Sequence, residues 1–428
     1  MADTAAHLVD RVFPEAPVRQ WVLSLPHAVR YRLAYDSRMI GKVLNIFIRA
    51  LFASLRRRAR EVGVEQSQCG AVTFIQRFGG SLNLNPHLHT LALDGVYAPG
   101  RDGRPEFFRL RPPENSDVAA LVAIVADQIS TLFKSGVAEA EDCDAEDSDS
   151  LFRDQPGLAG LYAASVCGRI ATGPDAGRRA AGRGDRIDPE SLEPWAEPRC
   201  ASASGFSMHA NVCVQARDRV RLERLCRYTA RPPLALDRLE LLDDGNLRYR
   251  FKRPWRDGTS HIVFTPEELI ARLAALAPAP RANLVRYSGI FAPAAKWRPQ
   301  IVPGTPELGP APGLFGELGA AGGTARGEAL DSGLPQSSNP ASGSGEIQPE
   351  SMVCETAPRF RNYAWADLMR RVFSTDVLVC ECCSGPMRII SAIHPPETTQ
   401  KILGCLGLPT RPPPVARAAA NWEAGVEL

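Results

Sequence analysis

Two histidines separated by one residue are the first side chains in the sequence that could do chemistry together. His87 and His89 flank Leu88, and Pro86 and a run of turn residues stand just before them. Along a β-strand, residues two positions apart point to the same face, so both imidazoles could bind one cation. The same pattern also describes two half-buried strand histidines that bind nothing. The pair therefore needs a partner elsewhere in the chain before it indicates a function.

A tyrosine among arginines is the second such feature. The steps between these residues are three, four and three positions, which places all four side chains on one face of a helix. They are Arg221, Arg224, Tyr228 and Arg231. A phenol has a pKa of about 10, and neighbouring cations would favour its ionised form and hold phosphates close to it. Tyr228 could then act as a nucleophile near neutral pH. The alternative is an amphipathic surface tyrosine with solvated arginine neighbours.

Together the two features suit one reaction better than either does alone. A metal held by the histidines would polarise a scissile phosphate, and the tyrosine would attack the phosphorus atom. One DNA end would stay covalently attached to the protein, so the break could be rejoined without a nucleotide cofactor. The pattern therefore predicts metal-assisted nicking of DNA. It requires that a strand and a later helix bring His87, His89 and Tyr228 to the same phosphate.

Two further stretches could contact DNA or metal. Aromatic and basic residues alternate over residues 249–256, so bases could stack on the rings while Lys252 meets phosphates; a strand with a packed inner face explains the same pattern. Cys380 and Cys383 form a Cys-x-x-Cys turn, which is half of the ligand set of a Zn²⁺ ribbon. The nearby residues lack convincing spacing for the other half, so a knuckle remnant in a small hairpin is the alternative to a closed Zn²⁺ site. Those residues are Cys354, Cys382, His394 and Cys405.

Hydrophobic periodicity predicts the elements that must position these side chains. The predicted helices cover residues 38–60, 117–134, 218–230 and 267–276. The predicted strands cover residues 71–78, 87–93, 206–212, 239–242, 247–252 and 261–264. The first two strands are joined by a moderate loop and are expected to be antiparallel neighbours. We therefore predict an α+β protein whose central antiparallel β-sheet carries the histidines and whose flanking helices include the one that presents Tyr228.

Composition along the chain suggests three parts. Residues 1–302 would form the catalytic domain, interrupted over about residues 136–204 by a loop-like insertion that begins with a run of carboxylates. Residues 303–358 are dominated by Gly, Pro, Ala and Ser and are predicted to be a long disordered linker. Residues 359–428 would form a small C-terminal unit, a zinc-ribbon-like hairpin that contains the cysteine turn.

The overall composition excludes several classes of protein. The 428 residues are 44% hydrophobic and 23% charged, which rules out a wholly disordered, collagen-like or coiled-coil chain. We find no apolar run of about 18 residues and no signal peptide, so we expect a cytoplasmic protein without a membrane partner and with reduced cysteines. The formal charge is only +2, but just five of the 50 basic residues are lysine. The excess of arginine suits phosphate binding and equally suits a GC-rich genome.

Four stretches of the sequence resemble, in the same order, rolling-circle transposases of the insertion sequence 91 family and the related common-region elements. They are QCGAVTFIQRFGGSLNLNPHLHTLALDGVY, LERLCRYTARPPLALDRLELL, RYRFKRPWRDGTSHIVFTPEELIARLAAL and RANLVRYSGIFAP. The resemblance spans residues 7–302 and continues into the C-terminal unit. The first stretch contains the histidine-hydrophobe-histidine (HUH) motif, with His87 and His89 at the metal-binding positions. In the second, Tyr228 stands at the position of the nucleophile.

The resemblance implies an HUH endonuclease fold, a Mg²⁺ or Mn²⁺ cofactor, and single-stranded DNA at the ends of the element as the substrate. It implies that Tyr228 forms a 5′-phosphotyrosine and leaves a free 3′ hydroxyl. The metal centre of the family uses two histidines and another polar residue, for which His209 and Gln76 are the candidates. The phosphate charge would be neutralised by Arg221, Arg224 and Arg231.

The sequence departs from the family pattern in two places. Two-tyrosine members carry another tyrosine four residues before the nucleophile, where this chain has Arg224, so the chain resembles the single-tyrosine branch. Family members commonly begin with a cysteine-rich zinc-binding module, whereas the first cysteine here is Cys69, so we expect a copy that lacks this module. Two other functions stay open: a truncated DNA-binding remnant without catalysis, and a metal-dependent nuclease that uses water. The sequence does not indicate the oligomeric state.

Overall fold

The computed structural model describes most of residues 1–303 and parts of 363–410. The described residues are 1–142, 150–179, 182–183, 198–252, 254, 258–278, 282–303, 363–388, 393, 396–407 and 410. Of the predicted linker, only Pro303 is among the described residues. In the aromatic and basic stretch, Arg253, Trp255 and Arg256 lie outside the described residues. The described parts of residues 1–304 and 365–428 belong to one compact unit.

The described chain contains runs of both helices and strands. The helices are α1 (Ala2–Arg11), α2 (His27–Tyr35), α3 (Ser37–Glu61), α4 (Asn115–Asp142), α5 (Ser150–Asp154), α6 (Pro156–Val166), α7 (Arg219–Thr229), α8 (Pro266–Leu276), α9 (Arg298–Ile301), α10 (Trp365–Phe373) and α11 (Pro396–Cys405). The strands are β1 (Val18–Ser24), β2 (Gly70–Phe78), β3 (Leu84–Leu93), β4 (Gly95–Pro99), β5 (Pro105–Arg109), β6 (Gly182–Arg183), β7 (Cys200–Ala203), β8 (Phe206–His209), β9 (Cys213–Val214), β10 (Leu239–Leu241), β11 (Leu247–Arg250), β12 (His261–Phe264) and β13 (Val285–Gly289). Every helix and strand predicted from periodicity is present, and α4 extends furthest beyond its predicted boundary.

A seven-stranded antiparallel sheet lies at the centre of the protein and confirms the predicted α+β fold. Its strands are hydrogen-bonded in the order β13-β2-β3-β1-β8-β7, and β9 also pairs with β1. The predicted neighbours β2 and β3 pair directly, with Gln76 opposite His87 and Phe74 opposite His89. Strand β1, which periodicity did not predict, lies between β3 and β8.

Strand β1 was missed because polar residues interrupt its apolar pattern although they are buried. Arg19 and Gln20 both lie inside the protein. Arg19 Nε donates to Asp94 Oδ1 at 2.8 Å, and its Nη1 donates to the carbonyl of Ala210 at 2.8 Å. A charge that normally marks an exposed position therefore ties β1 to its surroundings, and its partners compensate for the burial.

Helices cover both faces of the central sheet. Leu88 of β3 packs with α3 and α4 in the larger apolar core. Leu91 of the same strand packs with α1 and α7 on the opposite face. Because side chains alternate along a strand, His87 and His89 lie on the face that α1 and α7 cover. The sheet thus places the histidines on the same side as the helix that carries Tyr228.

A smaller sheet has the strand order β10-β11-β12-β6 and packs with α6 and α8. Asp244 and Gly245 form the predicted turn between β10 and β11, where Gly245 has a φ of +81°, a conformation that glycine adopts without strain. Tyr249 of β11 is fully buried with Phe264 of β12. In the aromatic and basic stretch, the packed inner face therefore accounts for Tyr249, which is not available to stack on a base.

The segment predicted as a loop-like insertion, residues 136–204, contains regular structure. Helix α6 buries Tyr162 and Val166, and Leu158 and Leu161 pack beside them against the core of the smaller sheet. Strand β7 forms an edge of the central sheet, although regular structure was expected to resume only at Gly205. The Gly and Pro residues after position 170 favour a loop, whereas the apolar residues before it form the buried face of α6.

Helix α4 corrects one reading of the sequence. Residues Asn115–Lys134 are long and apolar enough to cross a membrane by length and composition, whereas no such run was expected. Val118, Val122 and Val125 of this helix are buried in the larger apolar core. A core helix of a globular domain meets the same criteria, so the helix is only a weak indication of a membrane span.

The described chain beyond residue 362 forms two helices and the predicted small hairpin. The backbone N–H of Cys380 donates to the carbonyl of Gly385 at 2.9 Å, and that of Ser384 donates to the carbonyl of Cys380 at 2.8 Å. Val379 and Pro386 form an isolated antiparallel bridge beside them. Before this hairpin, α10 packs against α1.

Candidate functional site

The two candidate metal-binding histidines lie side by side on β3. The centroids of their rings are 4.9 Å apart. His89 is only 6% exposed, and His87 is partly buried. The rings share one face of the sheet, as predicted, and are close enough to contribute to one site.

Burial keeps both imidazoles neutral near pH 7. It lowers the pKa of His87 to about 4, and the hydrogen bond to the carbonyl of Asn85 opposes this only in part. It also lowers the pKa of His89 well below its usual value, and the neighbouring His87 and Arg231 add to the effect. Because Nδ1–H of His87 donates to the carbonyl of Asn85 at 2.7 Å, Nε2 keeps a lone pair for a ligand.

Gln20 of β1, which sequence reasoning missed, contacts the second histidine. Its Nε2 lies 2.8 Å from Nδ1 of His89. Its Oε1 is buried with no hydrogen-bond partner in the part of the chain that the structure describes. A side-chain amide can bind Nδ1 through its nitrogen or its oxygen. With the oxygen toward Nδ1–H, His89 would present a free Nε2 as His87 does. The pairing of β1 with β3 creates this contact, so no local signal marked Gln20.

Gln76, one of the two candidates for a third ligand, lies on the strand next to the histidines. It is the direct partner of His87 across the β2–β3 pair. Its Nε2 donates to the carbonyl of Thr229 at 2.7 Å, and its Oε1 is buried without a partner among the described residues. Amide oxygens are ligands for hard divalent cations. The structure therefore brings an available amide oxygen to the histidine pair.

His209, the other candidate, lies on the same face but one strand further away. Val22 of β1 pairs with His89 on one side and with His209 on the other. Neighbouring strands are about 4.8 Å apart, so roughly 10 Å separates the two histidine backbones. The exposed His209 places its Nδ1 2.8 Å from Sγ of Cys200 instead. The structure does not bring it together with the histidine pair.

The helix that presents the tyrosine, α7, is fixed at both ends. The side chain of Asp218 caps the helix by accepting from the backbone N–H of Arg221 at 3.0 Å. At the other end, Gln76 of β2 binds the carbonyl of Thr229. Leu225 on the inner face is buried in the core that the helix shares with the sheet. These contacts set both the depth and the orientation of the helix.

Tyr228, in the last turn of α7, lies next to the histidine pair. Its ring is edge-on to that of His89, with centroids 6.2 Å apart and an angle of 80° between the planes. The tyrosine is partly buried. The phenol, the two imidazoles and the amide of Gln76 are thus grouped at one end of the helix. This is the convergence that the DNA-nicking hypothesis required.

Two of the predicted DNA-binding cations lie over the tyrosine ring. The guanidinium carbon of Arg231 is 4.6 Å from the ring centroid, and Nζ of Lys252 is 5.7 Å from it. Arg221 and Arg224 precede Tyr228 by two turns and one turn and are exposed. The structure therefore brings Arg231 and Lys252 to the phenol and leaves Arg221 and Arg224 at the surface of α7.

The residues present offer ligands for a divalent cation. Within the described residues, no three His, Cys, Asp or Glu side chains form a group that could hold a metal. A site here would therefore use His87, His89 and the oxygen of Gln76, with water completing the coordination; neutral imidazoles bind divalent metals, and the amide oxygen and water suit Mg²⁺ or Mn²⁺. The buried, unpartnered Oε1 of Gln76 favours a ligand, because a buried polar atom without a partner is unusual and costly.

The cysteine turn lacks a complete set of zinc ligands in the described chain. Hydrogen bonds from the backbone N–H groups of Cys383 and Cys382 lower the pKa of the Cys380 thiol, which favours the thiolate that binds metals. Within the described residues this pair belongs to no group of three or more His, Cys, Asp or Glu side chains that could hold a metal, and Cys354 and His394 lie outside them. A small hairpin with half of a zinc site agrees with what is described.

Comparisons with known proteins identify the family. Residues 70–298 match a family model described as "Putative transposase", and this segment is just over half of the 428 residues. It contains β2, β3 with both histidines, and α7 with Tyr228. No curated protein and no solved structure matches the chain. On the length of the family match, the chain belongs to this family of transposases.

Proposed function

We propose that this transposase nicks single-stranded DNA at the ends of a rolling-circle insertion sequence and transfers the cut strand, as a single-tyrosine HUH enzyme of the insertion sequence 91 type. One observation carries the proposal: the rings of Tyr228 and His89 make an edge-to-face contact with centroids 6.2 Å apart. A phenol and a histidine-bound cation at this spacing can act on the same phosphorus atom. Membership of a transposase family supports cutting and joining of DNA in general.

In the proposed reaction, Oη of Tyr228 attacks the scissile phosphorus. A new P–O bond forms while the bond from phosphorus to the 3′ oxygen breaks. The phenol proton passes to solvent, and the departing oxygen takes up a proton to become a 3′ hydroxyl. The other DNA end remains as a 5′-phosphotyrosine. Attack of a 3′ hydroxyl on this phosphotyrosine reverses the step and joins DNA, so no nucleotide cofactor is needed.

His87, His89 and Gln76 would hold Mg²⁺ or Mn²⁺. When bound, such an ion polarises the phosphate and stabilises the charge that builds on its oxygens. The chain prepares for it by keeping both imidazoles neutral through burial and by leaving Nε2 of His87 unprotonated. The proposed ligands would therefore be in the correct protonation state before DNA binds.

Arg231 and Lys252 would act on the phenol and the phosphate together. Both lie over the ring of Tyr228, where each would offer hydrogen-bond donors to phosphate oxygens beside the phenol. The two exposed arginines of α7 would bind phosphates further along the strand. They are Arg221 and Arg224.

A row of polar side chains across the sheet would guide a DNA strand to the site. Ser24, Ser207 and Ser202 continue, strand by strand, the row that begins with Gln76 and His87. Ser24 and Ser207 are partly exposed, and Ser202 is exposed. Serine hydroxyls bind phosphate oxygens without reading the base. This row supports entry of single-stranded DNA from the side of β8 and β7.

We place the reaction in the cytoplasm, because the proposed substrate is DNA. The helix that meets the length and composition of a membrane span, α4, contributes its apolar side chains to the core. A membrane partner is therefore not part of the proposal.

The test uses single-stranded DNA that carries an element end and a label at its 3′ terminus. The purified chain is incubated with this DNA and Mn²⁺, and the products are separated on a denaturing gel. We expect a labelled protein–DNA band with the wild type and with Tyr97→Phe, a buried tyrosine of β4 away from the site. Tyr228→Phe should abolish the band while DNA binding persists.

Three results would contradict the proposal. Cleavage without an attached protein would indicate a nuclease that uses water. Binding with neither cleavage nor adduct would indicate a DNA-binding remnant. An adduct that persists in Tyr228→Phe would mean that another side chain is the nucleophile.

A further inference from the structure

An arginine from the C-terminal part of the chain binds the helix that carries the proposed nucleophile. Arg371 of α10 places Nη1 2.6 Å from Oδ2 of Asp10 on α1, and Nε 3.1 Å from Oε2 of Glu223 on α7. Its Nη2 lies 3.0 Å from Oδ1 of Asp10 and 2.7 Å from Oε2 of Glu223. One guanidinium therefore joins α10, α1 and α7.

The contact differs from an ordinary surface ion pair. The side chain of Glu223 is only 11% exposed, and that of Arg371 is 25% exposed. Arg371 uses all three of its guanidinium nitrogens, in the bidentate geometry that makes arginine–carboxylate pairs strong. Surface pairs contribute little, whereas removing one partner of a shielded pair leaves charge that is poorly solvated.

The two carboxylates are neighbours and share this cation. Both accept from the same Nη2 of Arg371, so loss of the guanidinium would leave two negative charges close together on helices that pack against each other. Arg227 balances Glu223 in part, at 3.1 Å from its Oε1. Asp10 and Glu223 would then repel each other, and the packing of α1 on α7 would loosen.

Weaker packing of α1 on α7 would also change the position of Tyr228, because Tyr228 is on α7. Glu223 and Tyr228 are five residues apart on this helix. Besides its apolar face in the core, the helix is held by Arg219, whose Nη1 donates to the carbonyl of Pro14 at 3.0 Å, and by the contact of Thr229 with Gln76. Arg371 adds a polar attachment at Glu223, which lies between Arg219 and Thr229 along the helix. A displacement of about 1 Å at a reacting group can reduce a rate roughly a hundredfold.

We propose that Arg371 is a positioning residue for Tyr228, and that α10 is a working part of the strand-cutting domain although residues 303–358 separate it from that domain in sequence. The inference concerns the same site and rests on the proposed function. Composition alone predicted that residues 359–428 form a separate unit. The contacts of Arg371 instead assign α10 to the domain that contains α1 and α7.

The first arm of the test does not depend on activity. Amide hydrogen exchange is measured on the full chain for the wild type, Arg371→Ala and the matched control Arg370→Ala. Arg370 is exposed and pairs only nearby, with Asp367 at 3.2 Å and Asp376 at 3.8 Å, among the described residues. We expect faster exchange over residues 219–229 in Arg371→Ala and no change in Arg370→Ala.

The second arm measures the rate constant of adduct formation at saturating DNA, together with the dissociation constant for DNA. We expect Arg371→Ala to slow the adduct by about tenfold or more with little change in DNA binding, because the nucleophile is misplaced and the phosphate contacts remain. Arg371→Lys, which keeps the charge but loses the bidentate geometry, should lie in between. Adding Asp10→Asn and Glu223→Gln to Arg371→Ala should restore most of the rate, because the repulsion is gone.

The outcomes separate this inference from the proposed function. If the wild type forms no adduct, the proposed function fails, while hydrogen exchange still decides whether Arg371 stabilises α7. If the wild type forms the adduct and Arg371→Ala matches it in both arms, Arg371 does not position Tyr228. Should Arg371→Ala fold poorly, Arg371→Lys takes its place, and a rate equal to that of the wild type would overturn the inference.

Discussion

The side-chain Nε2 of Gln76 donates a hydrogen bond of 2.7 Å to the backbone carbonyl of Thr229, the residue that follows Tyr228. One glutamine therefore connects the strand beside the histidines to the end of the helix that presents the phenol. Its oxygen remains available for a cation. The two halves of the proposed site are coupled through a single side chain, and substitutions can separate its two roles.

Gln76→Leu should weaken Mn²⁺ binding by about tenfold or more and also slow adduct formation, since both the oxygen and the N–H donor are lost. Gln76→Glu keeps an oxygen ligand but loses the donor to Thr229, so it should retain Mn²⁺ binding and still slow the adduct. Titration followed by electron paramagnetic resonance measures the first property, and the gel assay measures the second. The exposed Gln300→Leu is the control. Unchanged Mn²⁺ affinity in Gln76→Leu would exclude this residue as a ligand.

His209→Ala should leave Mn²⁺ affinity within about twofold of the wild type, because β1 separates its backbone from the histidine pair by roughly 10 Å. His89→Ala should remove measurable binding under the same conditions. The same titration compares the two variants directly. A large loss of affinity in His209→Ala would show that the side chain reaches the ion, and the choice of Gln76 would then be wrong.

Gln20→Leu should reduce Mn²⁺ affinity by about 10-fold to 100-fold without removing any proposed ligand, because the amide holds the tautomer and orientation of His89. The ¹⁵N shifts of the imidazole in the metal-free protein report which ring nitrogen carries the proton. We expect one dominant tautomer of His89 in the wild type and a mixture in Gln20→Leu. Identical ¹⁵N shifts of the His89 ring in the two proteins would show that Gln20 does not set its tautomer.

Asp117 at the start of α4 gives a pH dependence with a definite sign. Burial raises the pKa of its carboxyl, but hydrogen bonds from the N–H of Glu114 and from Arg111 outweigh burial and hold the pKa below the usual 3.8. A carboxyl with a depressed pKa in the folded state stabilises the protein above its unfolded pKa, and this contribution disappears as the pH falls through the folded value. The difference in unfolding free energy between the wild type and Asp117→Asn should therefore be largest near neutrality and shrink below pH 3.8. Urea unfolding measures it, and a difference that does not vary with pH would contradict the assignment.

Local sequence patterns were sufficient to predict the strand that carries the histidines and the helix that carries Tyr228. The alternation around His87 and His89 and the turn residues before them define a strand, and the apolar stripe behind Tyr228 defines a helix that ends before two prolines. Each of these signals depends on residues within one or two turns of each other. The antiparallel pairing of β2 with β3 followed from the moderate loop between them.

Contacts between distant segments could not be predicted in this way. Gln20 became part of the site, and His209 was kept from it, by the insertion of β1 between β3 and β8. That position depends on the buried pair of Arg19 and Asp94, which reads in sequence as two solvated charges. The contact of Arg371 with α7 likewise joins residues on opposite sides of the predicted linker.

The strand order of the central sheet has a consequence for how the enzyme is made. Val285 at one edge pairs with Phe74, and Val22 in the middle pairs with His209, so the members of these two pairs are synthesised far apart in time. Long loops must close before these pairings form, which makes refolding slow; we expect milliseconds or longer by stopped-flow fluorescence, and a microsecond phase alone would contradict this. The sheet cannot be complete until Gly289 has left the ribosome. A nascent copy therefore completes the sheet behind His87, His89 and Tyr228 only after most of its length has been translated.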